Sequence, residues 1–408
     1  MSTWAQSGRA RSGSWARRFL AEAFALMALG ALAVSGCGAT TVAGPTARAR
    51  SATVRASLAT SAETSAGSWA VVAMGHLGQP LNTFWQLFFR PAGASAWSDR
   101  ASALAVATNG GLIVATQSGK SLAVGIRSAN NLSYSPLIVT SDARSWLPAE
   151  PVGALADQPD ALAIAAGGEA LALVGDGRAA QVLVSATGLT SWRALASESA
   201  LAASPPGRAC GIVSLTAVGY SAGHRLIGAS CRRGGVVGIF TEHGSTWRLV
   251  GPGLLQPFGH SSTEVLGLQT TTAGLCALVG LTGRRSAQLV AACTSGSRLT
   301  WRVSPALLLA GPEGVVSFGP VAKVGLFALI WGSAHPDMLA VLGESHMTWS
   351  TLHSPPAQTA TVVFAPVGRV DALVVDDTSF TDWRLAGGGR RWSREQNLHV
   401  AIQFGSSG

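Results

Sequence analysis

An all-β chain arranged as a seven-bladed propeller of four-stranded blades is the fold this sequence predicts, and three observations predict it. Trp recurs at near-even intervals along residues 97–392. Short apolar, β-rich runs fill each interval, and most intervals hold three before the next Trp. Turns rich in Gly, Ser and Thr bound those runs, which at five to eight residues fit strands and leave no room for helices.

Trp97, Trp146, Trp192, Trp247, Trp301, Trp349 and Trp392 are separated by 49, 46, 55, 54, 48 and 43 residues. A period near 50 is the signature of a repeat architecture. Ahead of most of these Trp lies a run such as "AQVLVSA", "GVVGIFT", "AQLVAAC" or "DMLAVLG". Two further runs precede it: "CGIVSLTAV" and "RLIGASC" in the fourth unit, "EVLGLQT" and "LCALVGL" in the fifth, "GVVSFG" and "VGLFALIW" in the sixth. Each unit therefore reads strand, strand, strand, turn, Trp-led strand. One such sheet cannot bury both faces alone, whereas sheets packed radially can. The competing arrangement, Trp scattered in a β-sandwich, does not explain the spacing. The ends supply a further expectation. "SWAVVAM" and "NTFWQLFFR" leave the first unit one strand short, and "HVAIQFG" at 399–405 is one strand over. A C-terminal strand completing the first blade accounts for both.

The turn before each Trp resembles the Asp-box, or BNR repeat, of sialidase-like and sortilin-like propellers, which runs Ser-x-Asp-x-Gly-x-Thr-Trp. Gly244, Thr246 and Trp247 match its end, with Glu242 at the acidic position. Thr300-Trp301 and Thr348-Trp349 match its last two positions, with Glu344 acidic in the latter, and Asp142 stands one residue out of register. Most copies lack both the Asp and the Gly. The resemblance implies a Trp packed between blades and a turn that marks scaffold rather than active site.

The N-terminus is set apart. Arg9, Arg11, Arg17 and Arg18 precede an apolar stretch, Phe19 to Val34, broken only by Glu22. That is the layout of a secretory signal. Val34-Ser35-Gly36-Cys37 resembles a bacterial lipobox, which implies cleavage after residue 36 and diacylglycerol transfer to Cys37. An ordinary signal or an anchoring helix is the competing reading, and the Arg17-Arg18 pair leaves Sec and twin-arginine export both open. Residues 37–66, rich in Ala, Thr, Ser and Arg, read as a flexible tether. Residues 67–408 read as the propeller, placed at the outer face of the bacterial cytoplasmic membrane. No later apolar run has the length of a spanning helix.

Five Cys are present. With Cys37 assigned to lipid, four remain, an even number for an oxidising compartment. Cys210 and Cys231 flank a turn near residues 221–224, and Cys276 and Cys293 one near 283–286, each nearly symmetrically. Two cross-strand disulfides follow; four free thiols are the alternative.

Net charge is +9; losing four Arg and one Glu with residues 1–36 brings it to +6, and Lys120 and Lys323 are the only Lys. A basic balance suits an anionic surface, though Arg-rich composition alone gives the same figure.

The chemistry-bearing residues are sparse. Sialidase relatives imply three Arg on a substrate carboxylate and a Tyr nucleophile with a Glu partner. Here Phe89-Arg90-Pro91 echoes their Phe-Arg-Ile-Pro phrase without the Ile, and Tyr134 and Tyr220 have no Glu near them in sequence. Asp376, Asp377 and Asp382 cluster as a solvated acidic loop or, less economically, a glycosidase pair. The eight His show no metal-ligand spacing, so neither metal nor cofactor is expected. Lys120, Arg178, Arg232, Arg233, Arg284 and Arg285 fall between second and third strands of units two to five, and Asp376 and Asp377 in unit seven. Those loops share one face, basic over one arc and acidic over another. The expectation is a lipid-anchored, non-catalytic module that docks an envelope protein. Binding of envelope glycan or anionic polymer, and a sialidase-like glycoside hydrolase, are the alternatives. Nucleic acid is not expected, because basic residues and aromatics are not interleaved.

Overall fold

The computed structural model of the protein describes residues 61–75, 83–100, 108–115, 122–128, 137–140, 145, 147–149, 159–175, 177–186, 189, 191–254, 261–271, 274–283, 287–295, 298–309, 314–321, 325–331, 336–343, 345–357, 359–365, 369–386 and 391–400. They form a seven-bladed β-propeller. Blade 1 comprises Ser61–Thr64, Gly67–Gly75, Thr83–Pro91 and Ser98–Asp99; blade 2 comprises Thr108–Ala115, Leu122–Ser128, Leu137–Thr140 and Leu147–Ala149. Blade 3 is Ala161–Ile164, Ala170–Val174, Gln181–Ser185 and Arg193–Ser197; blade 4 is Ile212–Ser221, His224–Cys231, Gly238–His243 and Thr246–Leu249. Blade 5 is Ser262–Thr270, Leu275–Thr282, Ala287–Ser295 and Arg298–Val303, with a short extra strand, Leu307–Leu309, on its third strand. Blade 6 is Gly314–Val321, Gly325–Trp331, Pro336–Gly343 and Thr348–Leu352; blade 7 is Thr359–Ala365, Arg369–Asp376, Ser379–Ala386 and Arg391–His399.

Within each blade the strands pair antiparallel in sequence order. Second strands such as Ala170–Val174 and Leu275–Leu281 are buried along their length. A blade packed on both faces has no polar side for them to show, so their sequences are continuous apolar runs rather than alternating ones. In blades 2, 4, 5, 6 and 7 the first strand carries a register shift against the second, as at Leu215/Ala217, Val265/Gly267 and Thr359/Thr361. A bulge strengthens local twist. Hydroxyls near these bulges bridge neighbouring blades: Thr216 Oγ1 donates to the Val265 carbonyl at 2.7 Å, and Ser317 Oγ lies 2.7 Å from Thr361 Oγ1. Blades 4 and 5 are joined further by backbone pairing of Ser230 with Glu264 and Cys231 with Thr263.

Ring closure differs from the expectation. The strand missing from blade 1 comes from Ser61–Thr64, which pairs with Gly67–Ala70, and not from the C-terminus. The propeller thus begins inside the segment assigned to the tether. The strand expected at 399–405 lies outside the described residues beyond Val400. Blades 1 and 7 meet through side chains. Phe88 stacks on Phe380 with ring centroids 3.9 Å apart, and Ala70, Val72, Met74, Leu373 and Val375 fill the seam around them. Ser61 Oγ donates to the Val362 carbonyl, and Gln396 holds both the N–H and the carbonyl of Trp97.

Two short helices also depart from the all-strand expectation. α1 (Glu198–Ala203) and α2 (Pro205–Cys210) link blade 3 to blade 4. Ser197 caps the first through the Ala200 N–H and Ser204 caps the second through the Gly207 N–H. Leu201 anchors the insert in the core between blades 3 and 4. Both disulfides form, with one change of geometry. Cys276 and Cys293 face each other across adjacent strands, whereas Cys210 ends α2 and bridges to Cys231 at the end of a strand.

Candidate functional site: the two charged ends of the propeller

An up-and-down blade places its second-to-third connection, and its link to the next blade, at one end. Its first-to-second and third-to-fourth turns lie at the other. Arg178 sits in a 3-10 turn after the second strand of blade 3, and Arg232 and Arg233 follow the second strand of blade 4. Asp376 and Asp377 form the corresponding turn of blade 7, with Asp377 at φ 47°. All five are exposed and belong to the same end. The α1–α2 insert joins them there, and it adds a residue the sequence reading missed, the exposed Arg208 on α2. Lys120, Arg284, Arg285, Trp146 and Cys37 lie outside the described residues.

The opposite end carries a buried ionic cluster in the seam between blades 1 and 7. In blade 1, Ser68 pairs with Arg90 and Ala70 with Phe88, so the guanidinium and the Phe88 ring share one face. In blade 7, Asp371 pairs with Arg384 and Leu373 with Asp382, which puts these four on the face opposed to it. Arg90, 3% exposed, donates to Asp371 Oδ2 and, at 3.1 Å, to Ser68 Oγ. Arg369 Nε lies 2.7 Å from both oxygens of Asp371, and its Nη2 reaches Asp382 Oδ2 at 3.0 Å. Arg384 Nε stands 3.9 Å from Asp371, while its Nη1 meets Glu395 at 3.2 Å. The Arg90 guanidinium also lies over the Trp97 ring, 4.7 Å from its centroid.

Asp371 and Asp382 are both 0% exposed. Burial pushes the Asp382 carboxyl up to about 6, helped by the Asp371 charge and opposed by Arg369, Arg90 and Arg384. Its Oδ1 has no hydrogen-bond partner. Burial likewise pushes Glu63, on the first strand of blade 1, up to about 7 against the Ser68 hydrogen bond and the Arg90 charge.

These positions bear directly on the hydrolytic alternatives. Asp382 is not part of an acidic loop: it stands on a strand, in the seam, while Asp376 and Asp377 face solvent at the other end of the blade. The three carboxylates do not converge on one bond. Three Arg do converge on a carboxylate, but that carboxylate is Asp371 of the chain itself. Tyr220 does meet a Glu in space, the Glu169 of blade 3. That Glu is held by Arg225 at 2.9 and 2.7 Å, and Arg225 also reaches Glu242 at 2.8 Å. The Arg225 hydrogen bond lowers the Glu169 carboxyl. Burial, with the Glu169 charge, holds the Tyr220 hydroxyl far above its usual range, the opposite of an activated nucleophile. Among the described residues no group of three His, Cys, Asp or Glu is placed to hold a metal, and no helix is long and apolar enough to cross a membrane.

Five of the repeat Trp side chains among the described residues sit between blades. Trp301 Nε1 donates to the Val250 carbonyl behind blade 4, Trp349 Nε1 to Ser304 behind blade 5 and Trp392 Nε1 to the His353 carbonyl behind blade 6, at 2.6, 3.1 and 3.2 Å. Trp247 packs into the core shared with blade 3, and Trp97 lies edge-on to Phe380 of blade 7. Trp192 instead bonds within its own turn, to the Leu189 carbonyl.

No protein-family model matches the chain, and no curated protein matches it. Solved structures do. A Bacteroides uniformis protein provisionally assigned as a 6-phosphogluconolactonase matches over 81% of this chain and 96% of its own, at 13% identity and a TM-score of 0.51. The structure of YCF48 bound to D1 peptide matches over 88% and 96%, at 13% identity and a TM-score of 0.43. An oligogalacturonate lyase in complex with manganese matches over 79% and 87%, at 9% identity and a TM-score of 0.47. Similarity at this level speaks to fold alone.

Proposed function

We propose that this chain is a non-catalytic docking module: an exported propeller, held to the outer face of the cytoplasmic membrane through lipid on Cys37, that presents one polarised end to an envelope protein. The observation that carries the reading is the division of charge. Carboxylates that could serve hydrolysis are engaged by Arg90, Arg369 and Arg225 within the fold. Arg178, Arg232 and Arg233 on blades 3 and 4, and Asp376 and Asp377 on blade 7, stand exposed at the other end. Counting around seven blades, the basic and acidic arcs are nearly opposite. A uniformly anionic polymer or glycan would be drawn to one arc and repelled by the other. A protein of mixed charge can satisfy both, and such complementarity fixes orientation and speeds encounter. The degenerate Asp-box turns have a scaffold role in this reading.

The test is mild cross-linking in the native membrane, comparing the unmodified chain with Arg178→Glu/Arg232→Glu/Arg233→Glu and with Asp376→Lys/Asp377→Lys. A discrete protein adduct lost in both charge-reversed chains supports the reading. Adducts indifferent to both sets, or capture of wall polymer alone, overturn it. Mass spectrometry of the mature N-terminus, with Cys37→Ser as control, tests the anchor separately.

A further inference from the structure

The α1–α2 insert at the exposed end is fixed at several points. Leu201, 1% exposed, plants α1 in the core. An added Cβ at Gly207 would stand 1.9 Å from the Leu201 carbonyl oxygen, so the two helices touch backbone to backbone. The Cys210–Cys231 disulfide ties α2 to the second strand of blade 4. The chain leaving that strand returns at once to the helix end: Arg232 N–H donates to the Gly211 carbonyl and Arg233 N–H to the Cys210 carbonyl, each at 3.0 Å. Arg232 Cβ and Arg233 Cγ each lie 3.6 Å from where a Gly211 Cβ would stand. Arg208 is one turn back on the same short helix and donates to the Ala203 carbonyl. The 3-10 turn bearing Arg178 packs against α1.

Four exposed Arg residues therefore lie on or beside one tightly tied knuckle, and among the described residues no acid pairs with any of them. Val213, at the bulge two residues after Gly211, is 47% exposed, and large hydrophobics so exposed are few among the described residues.

We propose that this knuckle is the primary docking element of the module and that it takes an acidic peptide segment bearing an aliphatic side chain. The proposal rests on the docking reading and names the partner's chemistry. Guanidinium groups match carboxylates in paired hydrogen bonds, and a backbone already tied in place spares the cost of ordering a loop on binding. Val213 offers the aliphatic contact. The chain's own tether has the wrong charge for the site: it carries Arg48, Arg50 and Arg55, and its acidic residue, Glu63, lies inside blade 1.

The probe is a fluorescently labelled peptide of alternating Glu and Leu, titrated against the full chain by anisotropy. The expected result is saturable binding that weakens roughly tenfold or more in Arg208→Glu/Arg232→Glu. Arg178→Glu, which lies off α2 and off the chain returning to it, weakens binding less, and Val213→Asp also weakens it. A Lys/Leu peptide of equal length does not bind. An unchanged melting temperature and an intact disulfide show that each variant folds. Binding indifferent to these changes, or no tighter than the same chain's binding to anionic lipid vesicles, overturns the proposal. If the peptide fails while the cross-linked partner is still lost on reversing Asp376 and Asp377, the knuckle alone is wrong. If both fail, the docking reading falls with it.

Discussion

Raising the pH from about 5 to about 8 weakens the seam between blades 1 and 7, because Asp382 must then ionise where it is buried and Glu63 where it is half-buried. Their folded values, about 6 and about 7, lie above the ordinary values of 3.8 and 4.5. The folded chain therefore holds these protons more tightly than the unfolded one. Their contribution is complete below about pH 4 and is lost as the pH climbs through 6 and 7. For Asp382, fully buried, the whole difference is on the order of 3 kcal/mol, of which roughly half is lost between about pH 5 and 8, the rest having gone between about pH 4 and 5. Glu63 is only half-buried, and solvent screening reduces its share. A propeller of ~340 residues unfolds with an entropy near ~0.7 kcal/mol/K, so the Asp382 share within that window is about 2 °C of melting temperature. The carboxyl of Glu169, lowered by Arg225, acts in the reverse sense but only below its ordinary value of 4.5, outside this window. The assay is calorimetry across the range on the full chain and on Asp382→Asn, which keeps an oxygen for Arg369 and cannot ionise. The variant flattens the pH dependence by about that amount and melts higher than the parent at about pH 8. A parent that gains stability from pH 5 to 8, or a variant with the parent's slope, refutes the reasoning.

Asp371→Asn strands Arg90 and Arg369 without their shared counter-charge and costs about 3–5 kcal/mol in denaturant titration; Asp371→Leu with Arg90→Met recovers much of that loss. Arg225→Met, which removes a partly exposed pair with Glu169 and Glu242, costs about 1 kcal/mol, and the cost shrinks in high salt. Cys210→Ser/Cys231→Ser, opening a loop with a sequence separation of 21, costs about 3 kcal/mol and speeds proteolysis within residues 198–210. Gly267→Ala places a Cβ 2.1 Å from the Phe318 ring of blade 6 and lowers the melting temperature by several degrees, equivalent to about 1–3 kcal/mol.

The repeat was legible because a Trp between blades is a large, rare residue at a fixed station, and because doubly covered strands such as Leu275–Leu281 are written as apolar runs. Ser61–Thr64 was not legible. "SAET" is half-buried at every position, so it has neither an apolar run nor an alternation to separate it from a tether. The two helices were hidden by their length: six residues each give no helical period, although Ser197 and Ser204 stood at their caps. The seam cluster could not be read at all. Arg90 and Asp371 are 281 residues apart, and it is ring closure that brings them together. Asp382 looked like a neighbour of Asp376 and Asp377 because sequence proximity hides which end of a strand a residue occupies. The exposed arginines on second-to-third connections were legible, because strand order alone decides the end on which they fall. The contribution of Arg208 waited on the insert.

The four residues that open blade 1 also set how the ring answers to force. Tension applied through the chain before Ser61 is carried first by four paired positions, from Ser61 with Ala70 to Thr64 with Gly67, together with the Ser61 hydroxyl on Val362. A pull along the strand shears these contacts together, while a pull across it opens them one at a time from Ser61. The strand under load is thus the one that carries Glu63 beside Arg90, and its release opens the closing seam, because Ser61 is also a contact to Val362 of blade 7. The direction of a pull on this entry strand therefore decides whether its contacts share the load or meet it in turn.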